Sequence, residues 1–103
     1  MVSVIDENKA KLEELCRKYD VARLDVFGSA ATEEFDEQQS DIDFVVEFQS
    51  SVSTNRFDTF FNLLEDLKQL LNRSIDLVEP GGLRNPYFKE MVDKTRKTIY
   101  AAS

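Results

Sequence analysis

The chain has no histidine, no tryptophan and a single cysteine, Cys16, in its 103 residues. One cysteine excludes an internal disulfide, and without histidine it leaves no usual ligand set for zinc. The same absences remove Ser-His-Asp and Cys-His nucleophilic catalysis, so chemistry here has to run on carboxylates, hydroxyls, lysine, arginine and a metal. Cations are scarce as well: 13 Lys and Arg stand against 20 Asp and Glu, a formal charge of −7. A phosphate backbone is bound chiefly by cationic side chains, so direct nucleic-acid binding is disfavoured. Long apolar runs are missing. Phe44-Val45-Val46 is far short of the ~20 residues that span a bilayer, and no basic-then-apolar signal segment follows Met1. These features predict a cytoplasmic protein with no membrane partner.

What is present suits a single domain over residues 1–103, 42% hydrophobic and 32% charged. At about this length roughly two-thirds of the unfolded surface can be buried, enough for a core without disulfides. Ile5, Asn8, Leu12, Leu15, Cys16 and Tyr19 fall near helical spacing and predict a helix over 5–19. Val21 to Phe27 reads as a strand ended by Gly28, and Ser29-Ala30-Ala31 as a short helix or turn. The acidic run Glu33 to Gln39 reads as a solvated loop, and Asp41 to Phe48 as the clearest strand. Phe57, Phe60, Phe61, Leu64, Leu67 and Leu71 repeat at three and four residues, predicting a helix over 55–71 whose aromatic residues face the core. Ser74 to Val78 is a short strand closed by Pro80-Gly81-Gly82, and Asn85-Pro86 opens a last helix from 86 into the nineties. The class is α/β, a small mixed sheet flanked by helices. The short first connection suits an antiparallel pair, and the long helix suits a crossover to the third strand.

Successive strand residues point to opposite faces, so Asp41 and Asp43 share one face while Ile42, Phe44, Val46 and Phe48 take the core face. The two acids have Cα atoms about 6.5 Å apart, within reach of one ion. Asp76, between Ile75 and Leu77, emerges in the same way. Three carboxylates that meet repel one another, a penalty a divalent cation reverses, and all-oxygen ligands favour magnesium or manganese. An Asp-x-Asp pair alone also suits a solvated strand face. A calcium loop is set aside, because its glycine and glutamate do not fall in register. Gly28-Ser29 closes a strand and opens a turn, where free backbone N–H groups and a hydroxyl can meet a phosphate. It has neither the Gly-Lys-Ser/Thr of a P-loop nor the Gly-x-Gly-x-x-Gly of a dinucleotide fold.

Together, Val26-Phe27-Gly28-Ser29, then after eleven intervening residues Asp41-Ile42-Asp43, then Ile75-Asp76-Leu77-Val78-Glu79-Pro80 resemble the polymerase beta nucleotidyltransferase superfamily. Over nearly the whole chain, the tail Leu83-Arg84-Asn85-Pro86-Tyr87-Phe88 included, the sequence is similar to the minimal nucleotidyltransferases. That resemblance implies a polymerase beta-like fold and a metal-dependent transfer of a nucleoside monophosphate, AMP from ATP, to a protein hydroxyl. It implies Gly28 and Ser29 at the triphosphate and Asp41, Asp43 and Asp76 at Mg2+ or Mn2+. It also implies an antitoxin role beside a HEPN-domain toxin. The alternative is a non-catalytic binding module of the same fold that neutralises a toxin by occlusion; a plain acidic scaffold is a third reading, with no need of acids alternating with core residues. Thr32 and Glu33 stand where relatives carry a basic residue and a glycine, which takes a cation from the phosphate side. Arg56, Arg73 and Arg84 are candidates to replace it. A domain of this size has few groups to enclose a base, so a partner or a homo-oligomer would complete the pocket. Cys16 lies on an apolar stripe and reads as buried and inert.

Overall fold

The computed structural model describes residues 3–31, 41–50, 56–82 and 84–102. Thr32, Glu33, the acidic run to Gln39, Ser40 and Leu83 lie outside them. The expected first helix is two helices, α1 (Ser3–Glu7) and α2 (Lys9–Lys18). The break falls at Asn8, with φ −109° and ψ 14°, whose side-chain amide donates to the Val4 carbonyl at 2.8 Å. Short polar side chains compete with the helical ladder in this way. After α2, Asp20 adopts φ 54°, a left-handed turn that ends the helix and delivers the chain into β1 (Val21–Phe27).

A 3-10 turn over Gly28–Ala31 follows β1, and β2 (Ile42–Phe48) pairs antiparallel with it, as the short connection predicts. Helix α3 (Arg56–Leu71) then crosses over, and β3 (Ile75–Val78) returns parallel to β2. Helix α4 (Pro86–Thr95) starts as predicted: Asn85 Oδ1 accepts from the N–H of Tyr87 at 2.9 Å, and Pro86 takes the first turn, where its missing N–H costs nothing. It ends in the nineties as the sequence reading has it, and the chain then turns at Arg96 into a fourth strand that the reading did not contain, β4 (Lys97–Ala101), antiparallel to the free edge of β1. The sheet order is β3-β2-β1-β4, a small mixed sheet with helices on it.

One face of the sheet buries Leu24, Val26, Ile42, Phe44 and Val46 against Leu12, Cys16, Leu63 and Leu67 of α2 and α3. Each such side chain contributes about 1.5–3 kcal/mol relative to exposure. The other face has a smaller cluster, Phe27 and Val45 under Val92 of α4, with Val78 beside it. The aromatic stripe of α3 departs from expectation: Phe57 is 75% and Phe61 46% exposed. At 100° per residue these two lie to one side of the row formed by Phe60, Leu63 and Leu67, so they stack on each other, ring centroids 4.7 Å apart, outside the core. Among the described residues no helix is long and apolar enough to cross a membrane.

Candidate active site

The strand register sets Asp43 opposite Phe27 of β1 on one side and opposite Asp76 of β3 on the other. The alternation holds: Ile42 and Phe44 are fully buried, Ile75 and Leu77 nearly so, and Asp41, Asp43 and Asp76 occupy the other face. That face is not open along its whole length. Val45, two residues past Asp43, is covered by α4, so the carboxylates occupy the uncovered end of the sheet.

Asp43 is half-buried and shares a hydrogen bond with Asp76. Burial raises its carboxyl from the ordinary 3.8 to about 6, helped by the bond to Asp76, the Asp76 charge and the Asp41 charge. The raised value reflects like charges held close together in a half-buried place. Asp41 and Asp76 are exposed, and Asp41 acts on the pair through its charge. Among the described residues no three histidine, cysteine or acidic side chains converge tightly enough to hold a metal ion. The donors fit a hard divalent cation in kind, and the negative charge that Asp76 and Asp41 crowd against Asp43 is what a bound cation would compensate.

Gly28 lies against this pair. Its φ is +69°, and a β-carbon there would come 2.9 Å from Asp43 Oδ2, so only glycine allows both the turn and the close approach. Its N–H donates to Thr95 Oγ1 at 2.8 Å, and that hydroxyl donates to the Met91 carbonyl at 2.8 Å. The expectation of a free Gly28 amide is thereby corrected: the helix that ends beside the turn takes the donor. Ser29 follows, partly exposed, at the start of the 3-10 turn.

Of the arginines singled out, Arg56 is paired with Glu79 at 2.6 Å, and Arg84 is exposed. Three residues escaped the sequence reading. Asp25 is fully buried, with Oδ2 2.6 Å from Arg96 Nε and Oδ1 3.0 Å from Arg23 Nε. Arg23 lies two residues away on the same strand, whereas Arg96, the second of the three, comes from the end of α4, which no local pattern links to Asp25. Thr95 is the third. A groove of about 460 Å³ between α2 and α3, lined by Lys11, Leu15, Lys18 and Asp66 among others, lies on the face away from the acids. A groove of about 340 Å³ along Tyr87, Met91 and Thr95 lies beside the Gly28 turn, and chemistry decides in favour of that side.

A mixed sheet with a Gly-Ser turn closing one strand and carboxylates on the next two defines a nucleotidyltransferase core. The chain belongs to the nucleotidyltransferase domain family, whose model matches residues 9–99. It is 37% identical over 91 residues to MJ0128 of Methanocaldococcus jannaschii, named as a protein adenylyltransferase, covering 88% of this chain and 86% of that one. The structure of a minimal nucleotidyltransferase superposes with a TM-score of 0.72 and 26% identity over 90% of each chain. A chain of the tri-AMPylated Shewanella oneidensis HEPN toxin in complex with MNT antitoxin superposes with a TM-score of 0.61 at 19% identity, covering 94% of this chain and 72% of that one, a likeness of fold.

Proposed function

We propose that this chain, as one domain over residues 1–103, transfers AMP from ATP to a hydroxyl of a partner protein, and that it serves in the cytoplasm as the antitoxin of a HEPN-type toxin. The observation that carries the reading is the Asp43 and Asp76 pair set against the side-chain-free Gly28. The adenylyltransferase name of the archaeal relative, and a structural neighbour that comes from a complex of an AMPylated HEPN toxin with MNT antitoxin, support the substrate and the partner.

In the reaction the acceptor oxygen attacks the α-phosphorus of ATP, the bond between that phosphorus and the α,β-bridging oxygen breaks, and pyrophosphate leaves. The acceptor proton passes to Asp76, whose carboxylate lies exposed beside Asp43. Gly28 lets the triphosphate approach the strand end closely, and Ser29 offers its hydroxyl. Asp41, Asp43 and Asp76 would hold magnesium or manganese, which when bound neutralises the triphosphate and acidifies the acceptor hydroxyl. The main work of the protein is positioning and charge.

A second reading is occlusion of the toxin without turnover, favoured by the absence, among the described residues, of three acidic side chains converged tightly enough to hold a metal ion. Calorimetric titration with ATP tests the site: binding in magnesium and none in chelator, with Asp43→Asn losing the magnesium-supported part, is the expected result. Equal affinity in chelator and magnesium would refute the metal site.

A further inference from the structure

Thr95 ends α4, yet it stands where the β1 and β4 ladder would place the partner of Gly28. The ladder sets Val26 opposite Lys97; two residues further on β1 is Gly28, and two residues back from Lys97 is Thr95. At that point the backbone has become helical, and the Thr95 side chain replaces the missing ladder carbonyl. Its Oγ1 accepts from the Gly28 N–H and donates to Met91 O, both at 2.8 Å, so the hydroxyl is fixed in both roles. The next residue, Arg96, is pinned at 2.6 Å to Asp25, which is fully buried in β1. The helix end therefore cannot drift from the strand without breaking a buried ion pair.

We propose that Thr95 is a positioning residue of the candidate site. Its hydroxyl sets the plane of the peptide between Phe27 and Gly28, and through it both the side-chain-free space at Gly28 that Asp43 Oδ2 occupies and the direction in which Ser29 leaves the strand. It touches no reacting atom. The inference rests on the adenylyl-transfer reading, because the turn matters only if a triphosphate is placed there. A misdirected turn still admits ATP but holds it out of line with the acids, so the loss falls on turnover and not on binding.

The test compares wild type, Thr95→Val, which keeps the shape without the hydroxyl, and Thr95→Ser, which keeps the hydroxyl. Transfer from α-labelled ATP should show kcat lowered about tenfold or more in Thr95→Val with KM for ATP changed less than about threefold, and Thr95→Ser within about threefold of wild type. Unchanged turnover in Thr95→Val, or an equal loss in Thr95→Ser, overturns the proposal. Amide hydrogen exchange gives a readout independent of activity. The Gly28 amide should be protected in wild type and Thr95→Ser and exchange faster in Thr95→Val, with Leu24 of the core unchanged as a check on folding. If wild type transfers nothing, the adenylyl-transfer reading fails on that arm, and an unprotected wild-type Gly28 amide, or one equally protected in Thr95→Val, overturns the role of Thr95 separately.

Discussion

Asp43 Oδ2 occupies the space that a side chain on Gly28 would need, since a β-carbon built there would lie 2.9 Å from it. The close approach sits at a left-handed backbone position, φ +69°, so Gly28→Ala faces both strain and collision with the candidate acid. A stability loss of about 1–2 kcal/mol is expected, with nucleotide binding lost as Asp43 is pushed aside. Urea unfolding and ATP calorimetry check this; an alanine variant that binds ATP normally would contradict the placement.

The raised carboxyl of Asp43 predicts a stability cost at neutral pH. Between pH about 4 and about 6 the folded state binds more protons than the unfolded chain, so this group makes stability fall as pH rises through that window, and the loss is complete above about 6. Two pKa units correspond to about 3 kcal/mol, which solvent access to this half-buried pair reduces to about 1 kcal/mol. Asp43→Asn should thus stabilise the protein by about 1 kcal/mol at pH 7.5 and by little at pH 4, while removing the metal-supported nucleotide binding. Equal effects of the substitution at the two pH values would contradict the assignment.

Asp25 is expected to be structural. Asp25→Ala leaves Arg96 without its buried partner and frees the end of α4, at a cost of about 3 kcal/mol. Chemical denaturation measures it, and a loss below about 1 kcal/mol would place the anchor elsewhere.

Cys16, fully buried in the core, has its thiol pushed up to about 12, first by burial and then by the Glu13 charge. Alkylation at pH 8 should be negligible in the folded protein and rapid in denaturant. Ready labelling of the native chain would contradict the packing of α2.

The acids were legible because each alternates with residues that must be buried: Ile42 and Phe44 fix the face of Asp41 and Asp43, and Ile75 and Leu77 that of Asp76. Gly28-Ser29 was legible as a strand end. Strand β4 was not, because along Lys97 to Ala101 only Ile99 is buried, too little to declare a period. The exposure of Phe57 and Phe61 was missed because spacing identifies a helix but sets its rotation only loosely when apolar residues make up half of it, as in α3. Thr95 was out of reach, as its hydroxyl meets an amide 67 residues away in the chain.

Transfer of label tests the central claim most directly. The chain is mixed with the HEPN-type toxin proposed as its partner, magnesium and ATP labelled at either the α- or the γ-phosphate. The account predicts α-label on the partner, no γ-label, and no α-label with Asp76→Asn or in chelator. Suppressed toxicity without α-label on the partner, unchanged by Asp76→Asn, would contradict it and establish occlusion instead.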